Sequence, residues 1–125
     1  MEVLLKLGIP YKNEKLYLKA LTHTSYANEH SVESYERLEY LGDAVLELVV
    51  SEYLYKNTEY PEGKMTKLRS NYVCENANYE YSIRLGLNEY LRLGHGEEER
   101  GGKYRKAIVA DIFESFIGAM YLDLG

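Results

Sequence analysis

Apolar residues recur along this chain at three- and four-residue intervals far more often than they alternate with polar ones, which predicts helices rather than strands. A first short helix is expected over 2–7, ended by Gly8 and Pro10, and a second over 14–21. The polar run 23–34 reads as a loop. The longest candidate covers 35–56, with Ser34 able to cap it and Glu36 in its first turn, where negative charge suits the helix dipole. Further helices are expected over 65–72, over 75–85 before Gly86, and over 104–122, with a short helix or turn at 88–93. No internal repeat or linker interrupts this pattern, so residues 1–125 read as one all-α domain.

Two of these helices depart from ordinary amphipathicity. At 100° per residue, Leu38, Leu41, Val45, Leu48 and Val49 form one stripe of the long helix, and Glu36, Glu39, Asp43 and Glu47 form the opposite one. Tyr40, Leu46, Val50 and Leu54 flank the acidic side, making the helix apolar nearly all round and predicting a central position, with Glu39 and Asp43 facing protein. The last helix repeats the arrangement. Asp111 and Glu114 share a narrow face with Ala107, Ala110, Ser115 and Gly118, small residues that admit a close neighbour. Like charges four residues apart repel, and burying them without a counter-charge costs far more. Two explanations stay open: the pairs converge on a hard divalent cation, which prefers oxygen ligands, or they are solvated or paired with Arg37, Arg105 or Lys106.

Composition narrows the classes. With 125 residues and 46% hydrophobic content, the chain can build one compact core. The 14 tyrosines against 2 phenylalanines mean that many core rings carry a hydroxyl needing a partner. Cys74 is the only cysteine and can form no internal disulfide, and His23, His30 and His95 lack the short spacings of a zinc site. The longest apolar stretch, 116–122, is too short to span a bilayer, and Lys6 interrupts the apolar start, so a soluble intracellular protein is expected.

A net charge of −5 argues against bulk electrostatic attraction to nucleic acid, yet its distribution is uneven. Residues 1–60 hold 6 basic and 10 acidic side chains, residues 61–125 hold 9 and 10. Two clusters in the second half suit phosphates: Lys64, Lys67 and Arg69, and a loop expected to be flexible that carries Arg92, Arg100, Lys103, Arg105 and Lys106. The run at His23, Thr24 and Ser25 shows no activating arrangement and reads as a cap or loop element. Gly94-His95-Gly96 is too short for a phosphate loop.

The run Glu36-Arg37-Leu38-Glu39-Tyr40-Leu41-Gly42-Asp43-Ala44-Val45 closely resembles the signature of the ribonuclease III family of double-stranded-RNA endonucleases. His23-Thr24-Ser25-Tyr26-Ala27-Asn28-Glu29 upstream fits the same pattern, as do Glu62-Gly63 with Lys67-Leu68-Arg69, Gly94, Gly101-Gly102, Ala110-Asp111-Ile112-Phe113-Glu114, Gly118 and Tyr121-Leu122-Asp123. In this order they cover almost the whole chain.

The resemblance implies an all-α endonuclease domain over 1–125, cytoplasmic and homodimeric, with Mg²⁺ held by an acidic cluster and Mn²⁺ able to substitute. The matching catalytic and metal-binding residues are Glu39, Asp43, Asp111 and Glu114, and Glu36 and Glu62 match further acidic positions around the cleavage centre. Tyr40 falls where the family usually has a phenylalanine that inserts into the partner subunit. The implied reaction is hydrolysis of double-stranded RNA to 5′-phosphate and 3′-hydroxyl ends, as in the processing of ribosomal RNA precursors. A dimer would also pair two basic loops into one RNA-binding valley, which answers the charge objection. Bacterial members generally continue into a double-stranded-RNA-binding domain, so the chain is expected to be part of a longer protein and, alone, to hold RNA weakly and salt-dependently. Two alternatives remain: an inactive domain of the same fold serving as an RNA-binding or structural module, and a small helical interaction domain with salt-bridged acidic pairs. Inactive relatives tend to lose the acidic residues, and all four are present here.

Overall fold

The helical period materialises as eight helices in the computed structural model, which describes residues 1–125. These are α1 (Glu2–Lys6), α2 (Glu14–Ala20), α3 (Thr24–His30), α4 (Glu36–Asn57), α5 (Glu62–Tyr72), α6 (Glu75–Leu85), α7 (His95–Glu99) and α8 (Lys106–Leu124). Two 3₁₀ turns, Leu87–Tyr90 and Gly102–Tyr104, join the later helices, and the only β pairing is an isolated parallel bridge between Thr22 and Arg92.

Three local expectations need correction. The predicted loop over 23–34 contains α3, started by an unconventional cap: the His23 ring nitrogen Nδ1 accepts the Ser25 backbone N–H at 3.1 Å, and Ser31 ends the helix in the left-handed region at φ 53°. Helix α5 begins at Glu62, because Pro61 is extended and its carbonyl accepts the N–H groups of Lys64 and Met65. The loop expected to be flexible holds α7 and is pinned. Gly94 N–H donates to Ser25 Oγ, and His95 N–H donates to a Glu29 carboxylate oxygen, each at 2.8 Å.

The core forms around α8 rather than α4. Ile108, Val109, Ile112, Phe113, Phe116 and Ala119 of α8 are buried against Val3, Leu4, Tyr17, Leu21 and Leu87. Helix α4 buries only Leu38, Gly42 and Leu54. Its apolar surround belongs to a helix of 22 residues that outruns the core, so Leu48 stays 68% exposed and Tyr55 77%. The hydroxyls of core tyrosines do find acceptors. Tyr17 donates to Asp123 Oδ2 at 2.8 Å, and the N–H groups of Lys12 and Asn13 also end on that carboxylate, tying the start of α2 to the end of α8. Desolvation opposes the Asp123 charge, but these three donors hold its carboxyl below the usual range.

Helices α4 and α8 meet through glycine on both sides. A Cβ on Gly42 would land on the Glu114 carbonyl, and one on Gly118 would land on the Leu38 carbonyl. The small face seen in the sequence of α8 therefore serves a backbone-to-backbone crossing. It also sets Glu39 and Asp43, on either side of Gly42, against Glu114 and Asp111.

Candidate metal centre

One carboxylate oxygen from each of Glu39, Asp111 and Glu114 lies within 4.8 Å of the other two. Asp43, one turn after Glu39, stands within hydrogen-bond reach of Glu114. Glu36, Glu39, Tyr40, Asp43 and Glu114 line one shallow depression that opens to solvent. Three of the four matching carboxylates thus converge directly and the fourth adjoins them. Glu36 occupies the rim, where Ser34 Oγ donates to its carboxylate at 3.1 Å and accepts its backbone N–H at 3.2 Å. Glu62 is not brought to the cluster: it opens α5 and lines a separate depression with Ser51 and Arg69.

The ion-pair explanation of the acidic pairs fails on geometry. No cationic nitrogen lies within 4 Å of Glu39, Asp43, Asp111 or Glu114; the salt bridges of the protein are elsewhere. Arg105, one of the expected partners, reaches Glu97 instead at 3.4 Å. Desolvation first, and then Asp111, pushes the Glu39 carboxyl from 4.5 up to about 7. Desolvation and the adjacent Asp43 push Glu114 from 4.5 up to about 8. Asp111 is also raised by desolvation, against hydrogen bonds from Glu39 and Tyr35 that favour its charge. Without a cation, the cluster answers its own repulsion by retaining protons. An all-oxygen, half-buried donor set with surplus negative charge suits a hard divalent cation.

A stability signature follows. Because Glu39 and Glu114 titrate higher in the native protein than in the unfolded chain, the native form binds more protons between about pH 4.5 and 8. Their contribution is present below that window and lost as pH rises through it. Burial holds the His23 imidazole below its ordinary value, which gives the opposite slope, but only up to about pH 6.5. Thermal melts in chelator should therefore show declining stability from pH 6.5 to 8.5, and Mg²⁺ should raise the melting temperature more at the upper pH. A flat chelator profile with no Mg²⁺ shift would remove the cluster's distinctive character.

Two buried side chains with polar partners escaped sequence reasoning, one at the cluster and one outside it. Tyr35 is buried and its hydroxyl donates to Asp111 Oδ2 at 3.1 Å. Desolvation and the neighbouring carboxylates push that hydroxyl far above its ordinary value, so it stays a donor. Glu97 resembles part of a solvated acidic run but is only 8% exposed, held between Arg105 and Arg100 at 3.4 and 3.7 Å. The flanking glycines were the only signal, since Gly102 packs directly on the Glu97 side chain. Of the basic loop, Arg92 is also engaged, donating to Thr22 Oγ1 at 2.9 Å with its guanidinium over the Tyr26 ring.

Comparison with known proteins agrees with this architecture. A family profile described as Ribonuclease-III-like matches residues 13–125. The chain is 52% identical to Ribonuclease 3 of Oceanobacillus iheyensis over 123 residues, covering 95% of this chain and 54% of that protein. It is also 52% identical to Ribonuclease 3 of Listeria monocytogenes over 122 residues, covering 94% and 53%. The chain thus spans about half the length of the curated relatives it matches. Among solved structures, a nuclease domain of ribonuclease III from Campylobacter jejuni, described for structural flexibility in its dimer-forming region, superimposes with a TM-score of 0.90 at 38% identity. That match covers 99% of this chain and 85% of the other. An all-α frame whose α4–α8 crossing gathers the signature carboxylates, together with these matches, places the chain in the ribonuclease-III-like family.

Proposed function

We propose that this chain is the endonuclease domain, over residues 1–125, of a ribonuclease III that hydrolyses double-stranded RNA with Mg²⁺, for which Mn²⁺ can substitute. The observation that carries the reading is the convergence of Glu39, Asp111 and Glu114, with Asp43 adjoining, in a chain 52% identical to Ribonuclease 3 of Oceanobacillus iheyensis. Glu39, Asp43, Asp111 and Glu114 are assigned as catalytic and metal-holding residues, with Glu36 a further acidic group at the rim. A divalent cation held by these carboxylates would supply Lewis-acid polarisation of phosphoryl oxygens and make water more acidic.

The chain's own residues do the rest. Glu39 and Asp43, four residues apart on α4, are held by the α4–α8 crossing against Asp111 and Glu114 of α8, so the two helix backbones fix the donor geometry. Because desolvation and Asp43 push the cation-free Glu114 carboxyl up to about 8, binding a divalent cation there would displace a proton, so metal affinity should rise as pH rises toward 8. The expected products carry 5′-phosphate and 3′-hydroxyl ends.

A homodimer is part of the proposal. Tyr40 is 84% exposed, and Leu48 and Tyr55 continue its face of α4 at helical spacing. On the other side of α4, Val49, Val50, Tyr53 and Leu54 line, with Tyr60 and Leu68, an apolar groove of about 600 Å³. A face of this kind calls for a partner, and a second copy of the chain is assigned to it. Lys64 and Lys67 of α5, Lys103 in the second 3₁₀ turn and Lys106 at the start of α8 have no carboxylate partner and are assigned to RNA phosphates. No helix is long and apolar enough to cross a membrane; a cytoplasmic location is proposed. The test is a labelled duplex incubated at low salt beside its single strand. Duplex-selective products with 5′-phosphates are expected, whereas equal loss of both substrates or 3′-phosphate ends would refute the assignment.

A further inference from the structure

We infer that Tyr35 is a positioning residue for the metal centre, using its hydroxyl to fix the orientation of the Asp111 carboxylate. The inference rests on the reading of Glu39, Asp111 and Glu114 as metal-holding residues and deepens it. Tyr35 is only 4% exposed and belongs to the hydrophobic core, a place where a phenyl ring would fill the same volume. Its hydroxyl is nevertheless aimed at Asp111 Oδ2, 3.1 Å away and 76 residues distant in sequence.

The ring that carries this donor is immobilised from several directions. The Tyr35 backbone N–H donates to the Thr22 carbonyl at 2.9 Å, and its carbonyl accepts the Glu39 N–H at 2.9 Å. The His23 ring meets it edge-on with centroids 5.9 Å apart. One residue therefore grips both helices of the centre, Glu39 through the first turn of α4 and Asp111 of α8 through the hydroxyl. A carboxylate has two oxygens and can swing about its χ2 torsion. With Oδ2 tied to Tyr35, that swing is restricted in a carboxylate that has an oxygen within 4.8 Å of both Glu39 and Glu114.

Groups that orient metal ligands without touching the metal commonly change affinity by 10–100-fold when removed. Tyr35→Phe deletes one oxygen and keeps the ring, so Mn²⁺ affinity, measured without RNA by the loss of free-ion paramagnetic resonance signal, should fall by about 10-fold or more. The Mg²⁺ concentration needed for half-maximal duplex cleavage should rise in parallel. Cleavage at saturating Mg²⁺ should return close to the unsubstituted rate, a rescue that a general packing defect would not show. Tyr104→Phe is the control, because it removes an exposed tyrosine hydroxyl bonded to Glu89, outside the acidic cluster and the apolar groove.

Equal Mn²⁺ affinity in Tyr35→Phe and the unsubstituted protein would overturn the inference while leaving the metal centre standing. Absence of Mn²⁺ binding by the unsubstituted protein would instead defeat the metal reading itself. Melting in chelator reports whether Tyr35→Phe is folded. A measurement that needs no variant accompanies it: with ring-labelled tyrosine, Mg²⁺ should shift the Tyr35 resonances and leave those of Tyr104 in place, and an unmoved Tyr35 would count against the inference.

Discussion

Glu114→Gln should lower the rate of duplex cleavage by about 10³-fold or more, equivalent to roughly 4 kcal/mol of lost transition-state stabilisation. Glu114 is the residue to change because it lies within ligand distance of Glu39 and Asp111 and also adjoins Asp43. Glutamine keeps the volume and removes the charge, so the α4–α8 crossing is left intact. The stability change distinguishes a functional group from a structural one. Since desolvation and Asp43 make the Glu114 charge unfavourable in the absence of a cation, and that charge is substantially present at pH 8, the variant should melt at a higher temperature than the unsubstituted protein in chelator at pH 8. It should also lose most of the Mg²⁺-induced gain. Activity within 10-fold of the unsubstituted protein, or a clear loss of stability in chelator, would contradict the role given to this carboxylate.

Gly42→Ala should be the most damaging small substitution in the fold. Alanine is the better helix former by about 1 kcal/mol, which alone would stabilise α4. That gain is overwhelmed here because the new methyl carbon lands on the Glu114 backbone carbonyl, an atom that cannot rotate away. The two helices must separate, and overpacking of this kind costs about 1–3 kcal/mol, more where backbone must move. A net loss of at least about 2 kcal/mol, or on the order of 10 °C in melting temperature, is expected. Separation of the helices also pulls Glu114 away from Glu39, so Mg²⁺ should stabilise the variant less than the unsubstituted protein. Gly63→Ala supplies the opposite sign: a Cβ there meets nothing within 4 Å on exposed α5, so it should be neutral or slightly stabilising. Similar melting temperatures for Gly42→Ala and Gly63→Ala would mean that the crossing is looser than described.

Much of the frame was readable from the chain because long helices leave a strong periodic trace. The 3.6-residue period located α4 and α8 to within a few residues, and put Glu39 with Asp43 and Asp111 with Glu114 on single faces before any contact was known. What periodicity cannot carry is the relation between helices. That all four carboxylates come together depends on Gly42 and Gly118 meeting backbone to backbone, a tertiary fact. Two of the short helices, α3 and α7, were missed for a related reason. Helix α3 has only seven residues and is capped by an imidazole rather than a usual hydroxyl or carboxylate, and α7 lies in a stretch so rich in Gly and Glu that it reads as loop.

The expected central place of α4 went to α8 because an apolar surround records a need for burial without saying what provides it. In α8 the provider is the same chain, whereas Leu48 and Tyr55 of α4 are left exposed, on the face assigned above to a second copy. Tyr35 and Glu97 illustrate the same limit for polar groups. A tyrosine beside a signature run looks like core, and a glutamate within an acidic run looks solvated, until Asp111 and Arg105 are seen next to them.

The most direct test of a carboxylate cluster that works through a divalent cation is the rate of duplex cleavage as a function of Mg²⁺ at low salt, with duplex binding followed in the same samples. Cleavage should be absent in chelator, rise to saturation with Mg²⁺, and be supported by Mn²⁺, while the duplex remains bound at the upper concentrations. Undiminished cleavage in chelator, or a bound duplex that stays intact at every Mg²⁺ and Mn²⁺ concentration, would contradict it.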